Sequence, residues 1–159
     1  VIIQRVLSAS VTVEHKLISS IGKGILVFAA IAPWDTEKDI DRLVTKLLKL
    51  RIWDDESGSK WKKNVCDISG EILCVSQFTL LASTKRGTKP NFRGALGSSQ
   101  AKDLYEQFVS KIRGSYSPEK VKDGIFQAMM EVALINDGPV TLEMSTEPTD
   151  PVDDTSSLA

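Results

Sequence analysis

The chain has 159 residues, of which 42% are hydrophobic and 26% are charged, so it is long and apolar enough to bury a core of its own. That balance excludes a wholly disordered, collagen-like or disulfide-stapled small protein. The 20 Lys and Arg residues nearly cancel the 21 Asp and Glu residues, and a net charge of −1 argues against a protein that coats nucleic acid over its whole surface. We expect one domain over residues 1–145.

Apolar runs and cysteines indicate the cellular setting. The best apolar run, 25–32, is bounded by Gly24 and Pro33 and is far shorter than the roughly 18 residues of a membrane span. The start of the chain lacks the pattern of a secretion signal, so we expect a cytoplasmic protein with no membrane contact. Cys66 and Cys74 match no metal-binding spacing and are expected to be reduced thiols.

Histidine is nearly absent, which constrains the chemistry. The one histidine, His15, falls in a predicted hairpin turn, leaving little material for a Ser-His-Asp triad or a histidine-rich metal site. No GxGxxG or phosphate-binding loop follows a predicted strand, which argues against a nucleotide cofactor. We therefore expect neither a metal nor a cofactor.

The first half of the chain predicts strands and one helix. Alternating and apolar patterns predict strands at 2–6, 10–13, 17–21 and 25–32. Asp35 or Thr36 is expected to cap a helix whose apolar residues recur at helical spacing up to Leu50. Residues 51–53 predict a short strand, and a charged hairpin loop follows at 54–63.

The second half predicts strands around a second helix. The predicted elements are a strand at 71–80, a long loop at 81–97, a helix at 99–113 and strands at 126–135 and 140–144, with a sharp turn at 136–139. Loops as long as 81–97 inside compact domains are usually functional or disordered. Residues 146–159 predict a disordered acidic tail. Strands and helices do not strictly alternate, so the class is α+β in a single domain with two main helices.

The long loop carries a basic patch. Lys85, Arg86, Lys89 and Arg93 lie between residues 81 and 93 with no acidic residue among them. Such a patch on a nearly neutral protein can bind phosphate. The alternative is an ordinary solvated loop.

Two stretches place small polar groups beside apolar ones. In Ser76-Gln77-Phe78-Thr79-Leu80, a strand would turn Gln77 and Thr79 to the face opposite Ser76 and Phe78. The alternative is a half-buried strand whose hydroxyls bond to backbone. In the second stretch, 136–141, Gly-Pro permits a cis bond that other pairs almost forbid. A plain turn explains that pair but not the threonine after Val140.

Together, SQFTL at 76–80 and NDGPVT at 136–141 resemble the two signature motifs of the D-aminoacyl-tRNA deacylases, also called D-tyrosyl-tRNA deacylases. Four further stretches resemble that family in the same order: IIQRVLSASVTV at 2–13, DTEKD at 35–39, RIWDDESG at 51–58 and KRGTKPNF at 85–92. The resemblance implies a homodimer with a mostly antiparallel, strongly curved or barrel-like sheet. It also implies hydrolysis of the ester that joins a D-amino acid to the 3′ end of tRNA.

The resemblance assigns roles to particular residues. It places Ser76, Gln77, Phe78 and Thr79 in the catalytic pocket, with Thr141 at a position once favoured for a nucleophile. Gly138 and Pro139 are supplied by the other subunit as a Gly-cisPro element, Asn136 is a substrate-binding residue, and Phe126 packs beside the terminal adenosine. Lys85, Arg86, Lys89 and Arg93 are then expected to bind acceptor-stem phosphates without reading bases.

The residues suggest how such an enzyme works without histidine. Backbone amides near residues 76–78 can stabilise the oxyanion of an already labile ester, helped by the vicinal ribose hydroxyl, so Thr141 is expected to be structural or positioning. The Gly-cisPro carbonyls are expected to exclude L side chains, so that glycyl-tRNA is cleaved as well. Gln127 stands where the family has glycine, and Ala29-Ala30 replaces a common Leu-Gly.

Two alternatives remain open. One is a non-catalytic nucleic-acid-binding protein of the same fold, which predicts salt-dependent binding to duplexes. The other is a hydrolase of small D-amino acid esters or peptides, which predicts turnover without tRNA.

Overall fold

The computed structural model describes residues 1–85 and 87–146, which build a six-stranded sheet and two α-helices. The strands are β1 (Ile2–Val13), β2 (Lys16–Ile21), β3 (Gly24–Ala29), β4 (Glu71–Ser76), β5 (Val121–Asp123) and β6 (Glu131–Glu143). The helices are α1 (Glu37–Lys49) and α2 (Ser98–Ser115), and short 3₁₀ turns lie at Phe78–Leu81 and Pro118–Lys120. The expected α+β class with two main helices is confirmed, while residues 147–159 of the predicted tail lie outside the described residues.

β1 is the centre of the sheet. It pairs with β6 along one edge, and on the other edge with β3 beside its first half and β2 beside its second half, all antiparallel. The β3–β4 and β4–β5 pairs are parallel, so the sheet is mixed and less antiparallel than expected. Ser19 of β2 donates to the carbonyl of Asp123 at the end of β5 at 2.8 Å. The two ends of the strand path therefore meet, and the expected curvature is confirmed as a nearly closed barrel.

The parallel pair β3–β4 is buried on both faces. The face that packs against the helices carries Ile25, Val27, Ile72 and Cys74. The face that fills the barrel carries Leu26, Leu73 and Val75. Burial on both faces explains why these strands read as continuous apolar runs. Burial ends after β4, where Gln77 is half-buried and Thr79 is exposed, and a site can form there. Within the described residues, no helix is long and apolar enough to span a membrane.

The helices follow their sequence signals closely. Thr36, one of the two predicted caps, accepts a hydrogen bond from Asp39 N, and the Asp39 carboxylate accepts from Thr36 N at 3.0 Å. This reciprocal capping box satisfies two amides that the first turn leaves without partners. The helix predicted at 99–113 extends by one or two residues at each end.

Two predicted strand breaks are wrong. Residues 2–6 and 10–13 belong to the single strand β1, because the residues between them keep partners in β6. The predicted turn at 136–139 does not reverse the chain, since β6 runs through it from Glu131 to Glu143. Residues 126–130, predicted as strand, are loop instead.

Candidate active site

An open cavity of about 680 Å³ lies where β3 and β4 end. Its walls come from the end of β3, the residues after β4, the first turns of α2 and the segment before β6. Five predicted site residues line it: Ser76, Gln77, Phe78, Thr79 and Phe126. The structure thus brings the first motif and the aromatic position together, although they are far apart in sequence.

The first motif leaves the sheet as a turn. Strand β4 ends at Ser76, and Gln77 N donates to Ala29 O at 2.7 Å before the 3₁₀ turn begins at Phe78. The two-sided alternation predicted for a strand is therefore wrong here, and the side-chain amide of Gln77 donates from Nε2 to Thr79 Oγ1. Because Phe78 and Thr79 open the turn, their backbone amides have no acceptor within it.

An aromatic pair forms the opposite wall. The Phe126 ring lies 5.6 Å from that of Tyr105, whose hydroxyl donates to Asp123 Oδ1 at 2.6 Å. Burial raises the pKa of the Tyr105 hydroxyl and also the pKa of the Asp123 carboxyl. Burial likewise raises the pKa of the Cys74 thiol beneath them, so both the hydroxyl and the thiol stay protonated at neutral pH.

Gln127 has a left-handed backbone. Its φ is 63°, a conformation that costs an L side chain energy and that glycine adopts freely. The departure from the family's glycine therefore falls where the backbone favours glycine. The Gln127 side chain lines the cavity next to Phe126 and takes space that glycine would leave open.

The second motif forms a bulge in β6. Val6 pairs with Asn136 and Gln4 pairs with Thr141, so Arg5 alone faces residues 137–140. The extra residues on β6 are accommodated by a bulge, where proline's missing amide costs no ladder bond.

The Gly138–Pro139 bond in this bulge is cis, as predicted. Arg5 Nε donates to Asp137 O at 2.9 Å and lies 3.5 Å from Asp137 Oδ2, while the same guanidinium donates to Ile52 O. Gly138 and Pro139 themselves are exposed and line no part of the cavity in their own chain. Arg5 therefore holds the backbone next to Gly138 and Pro139, and we call these two exposed residues the wedge.

Thr141 is also remote from the cavity of its own chain. Gln4 Nε2 donates to its hydroxyl at 3.4 Å. Reaching the strand that carries Ser76 means crossing from β6 over β1 and β3 to β4, three steps of about 4.8 Å each. Neither Thr141 nor Asn136 lines the cavity.

The basic loop, residues 81–97, is held beside the cavity by backbone hydrogen bonds and a ring contact. Ser83 and Asn91 exchange backbone hydrogen bonds of 2.8 and 3.0 Å, and the Phe92 ring lies 5.1 Å from that of Phe78. The basic side chains of Lys85, Lys89 and Arg93 are exposed, and none of them pairs with an acidic residue in the described ranges. Arg86 lies outside the described residues.

Sequence reasoning missed several lining residues. Tyr105 lies within the predicted helix at 99–113, and Ala128, Met129 and Met130 lie within the predicted strand at 126–135, so the sequence assigned none of them to a site. Small and apolar residues of this kind carry no signal that separates a cavity wall from a core. The lack of periodicity in the loop before α2 is a usable signal, because Ala95 and Leu96 of that loop also line the cavity.

Comparison with known proteins decides the family. The family model described as D-Tyr-tRNA(Tyr) deacylase matches residues 2–145. The chain belongs to this family. The deacylase fold is therefore the setting in which the cavity, the Gly138–Pro139 wedge and the basic loop are interpreted.

Named relatives and solved structures agree with this family assignment. The D-aminoacyl-tRNA deacylase of Saccharomyces cerevisiae is 48% identical over 147 residues, covering 92% of this chain and 98% of that protein. D-aminoacyl-tRNA deacylase 1 of Homo sapiens is 48% identical, covering 91% and 69%. The solved c-Myc DNA Unwinding Element Binding Protein matches with a TM-score of 0.88 and 47% identity over 93% of this chain and 98% of that one. A probable eukaryotic D-amino acid tRNA deacylase, 17% identical with a TM-score of 0.75, covers 89% and 95% and shows the fold alone.

Proposed function

We propose that this protein hydrolyses the ester bond between a D-amino acid and the 3′-terminal ribose of tRNA, releasing the free amino acid and tRNA. The observation that carries the proposal is one cavity lined by the intact first motif and Phe126, in a chain that matches the deacylase family model over residues 2–145. Relatives that are 48% identical and named for this activity support it. Because cytoplasmic ribosomes use charged tRNA, we propose a cytoplasmic location for the protein.

The turn after β4 supplies the chemistry. In hydrolysis, water adds to the ester carbonyl, the bond to the ribose oxygen breaks, and that oxygen takes a proton. Negative charge develops on the carbonyl oxygen, and backbone amides are suited to stabilise it. Because Gln77 N is engaged by Ala29 O, the amides of Phe78 and Thr79 are the donors for this oxyanion. A vicinal ribose hydroxyl assists the attack, so no histidine is required.

A second copy of the chain completes the site. The cavity lacks Gly138 and Pro139 from its own chain, and both are exposed on the β6 bulge. The same strand exposes apolar residues, with Ile135 59% and Leu142 37% exposed. A two-fold dimer covers such a surface and delivers each wedge to the partner's cavity.

The wedge selects D-amino acids by excluding the side chains of L-amino acids. Rejecting an L-amino acid 10⁴-fold needs about 5.5 kcal/mol of differential transition-state binding, which a small difference in side-chain contact does not supply. Rigid backbone carbonyls at Gly138 and Pro139 bind the substrate amino group and leave the L side chain no space. This selection excludes L side chains, and it accepts glycine because glycine has no side chain to exclude.

Three esters test the proposal directly. Purified protein is incubated with D-tyrosyl-tRNA, L-tyrosyl-tRNA and glycyl-tRNA, and the decay of each ester is followed. We expect the D-ester and the glycyl ester to be cleaved and the L-ester to persist. Cleavage of D-tyrosine ethyl ester at a comparable rate would favour the small-molecule hydrolase instead.

A second candidate function is non-catalytic binding of nucleic acid. The 47% identical solved structure is described as a c-Myc DNA Unwinding Element Binding Protein, and the exposed basic loop suits phosphate. This candidate predicts salt-dependent binding to duplex DNA and no release of D-tyrosine from tRNA. The ester assay therefore separates the two functions.

Replacing Thr141 with alanine tests whether it is a nucleophile. We expect the variant to keep at least about a third of wild-type kcat, because a lost positioning contact costs about 0.5 kcal/mol whereas a lost nucleophile costs orders of magnitude. Single-turnover decay of D-tyrosyl-tRNA measures this. Near-complete loss in a folded protein would assign Thr141 to the chemistry.

Charge reversal at Lys85 and Lys89 tests the basic loop. The double Lys→Glu variant is expected to raise KM for D-tyrosyl-tRNA at least about tenfold and to flatten the salt dependence of KM, because two phosphate contacts are lost. Reversing Lys46 and Lys49 in the last turn of α1 makes the same charge change elsewhere. If the salt dependence of KM were equal in the two double variants, the loop would be ordinary solvated surface.

A further inference from the structure

Residues 124–130, which we call the wall loop, form one side of the cavity. The lining residues are Phe126, Gln127, Ala128, Met129 and Met130. The loop joins β5 to β6 without regular structure, and its internal backbone bonding among the described residues is one turn bond, Ala128 N to Ile125 O at 3.2 Å. The position of this wall therefore depends on how its ends are held.

Asp123 and Gly124 hold the first end of the wall loop to three elements. Its carboxylate accepts from the Tyr105 hydroxyl of α2 at 2.6 Å, and its carbonyl accepts from Ser19 Oγ of β2 at 2.8 Å. The next residue, Gly124, donates its amide to Cys74 O of β4 at 3.0 Å. These two residues thus join the wall loop to helix α2 and to strands β2 and β4 of the nearly closed barrel.

Tyr105 connects this anchor to the cavity itself. Its side chain is only 1% exposed, yet it lines the cavity floor and supports the Phe126 ring at 5.6 Å. The hydroxyl bond fixes the ring on one side, and the ring fixes Phe126 on the other. A change at Asp123 is therefore transmitted to Phe126 through one hydrogen bond and one ring contact.

We propose that Tyr105 and Asp123 are positioning residues of the active site, whose hydrogen bond holds the wall loop and the Phe126 ring where the 3′ end of tRNA binds. The proposal rests on the proposed function for its ligand. Packing alone does not require the pair, because a phenylalanine and an apolar residue would fill the same space without partly burying a carboxylate. Arg113 lies near enough to offset part of that charge.

Hydrogen exchange tests the proposal without reference to activity. Tyr105→Phe removes the hydroxyl and keeps the ring, and we expect the amides of residues 125–130 to exchange about tenfold faster, because local opening of the loop costs less. Tyr116→Phe is the matched control: it deletes a hydroxyl bonded to Gly70 O at 2.9 Å near the end of the same helix, away from the cavity. Equal exchange of the wall loop in the two variants would overturn the proposal.

Kinetics on D-tyrosyl-tRNA then distinguish positioning from general stability. For Tyr105→Phe we expect KM to rise about fivefold with kcat changed less than about twofold, because the wall contributes to binding of the 3′ end. Asp123→Asn retains an oxygen acceptor and is expected to remain within about twofold of wild type, whereas Asp123→Leu is expected to match Tyr105→Phe. A fall in kcat with unchanged KM would contradict the proposal. If the wild type fails to cleave D-tyrosyl-tRNA, the proposed function fails, and the exchange result still decides the positioning role.

Discussion

Replacing Gly138 with alanine is expected to lower kcat/KM for D-tyrosyl-tRNA at least about 100-fold, the scale of loss that follows a misplacement of about 1 Å at a reacting centre. Gly138 has a φ of 122°, and a Cβ built there lies 2.9 Å from a terminal guanidinium nitrogen of Arg5. The alanine must either shift the backbone or displace the guanidinium that holds the Asp137 carbonyl. Both movements turn the wedge carbonyls away from the substrate amino group.

Gly58→Ala is the matched control for this variant. Gly58 also has a positive φ, 79°, but a Cβ there meets nothing within 4 Å. It therefore carries the backbone strain, about 1 kcal/mol, without the contact. We expect Gly58→Ala to lower the melting temperature slightly and to leave kcat/KM unchanged. If Gly138→Ala kept activity within about threefold of wild type, the wedge would not contact the substrate.

The elements that sequence predicted well are those fixed by local patterns. In α1, apolar residues recur at helical spacing, and the Thr36–Asp39 capping box is contained within four consecutive residues. The hairpin turn at His15 is equally local, with Glu14 and His15 both at positive φ. Such signals need no knowledge of distant residues.

The continuity of β6 could not be predicted, because it is decided by pairing across the chain. Asn-Asp-Gly-Pro is a strong turn signal when it is taken alone. In the structure, β1 runs alongside and keeps β6 extended, and Arg5 bonds to a carbonyl 132 residues away. The same long-range pairing explains why β1 continues through residues 7–9, which lie between the two predicted strands.

The candidate site could be predicted only in part, because some of its contacts also join residues that are distant in sequence. Motif resemblance found residues 76–79 and Phe126, but not the 3₁₀ turn that frees the amides of Phe78 and Thr79. The Tyr105–Asp123 bond joins two residues that neither periodicity nor motif relates. The second motif is absent from the cavity of its own chain, which is the arrangement that supply in trans requires.

A heterodimer of two inactive variants is expected to regain about half of wild-type activity, because one of its two equivalent sites is rebuilt. One chain carries Gly138→Ala, which impairs the wedge and leaves the cavity intact. The other carries Ala101→Trp, which fills the cavity at the first turns of α2 and leaves the wedge intact. The two chains are co-expressed with different affinity tags and purified through both tags, and kcat and KM for D-tyrosyl-tRNA are measured.

When both substitutions lie in one chain, supply in trans predicts an inactive heterodimer instead of a half-active one. This second heterodimer therefore identifies which chain supplies the wedge. When the doubly substituted chain pairs with a wild-type chain, supply in trans leaves each site with one defect, and the heterodimer is inactive. Supply in cis leaves the wild-type chain with a complete site, and the same heterodimer keeps about half of the activity. Both heterodimers contain the same two substitutions, so differences in folding or overall stability between them are small. Activity in the doubly substituted pair together with none in the split pair would place the wedge in its own chain's site and remove the dimer from the mechanism.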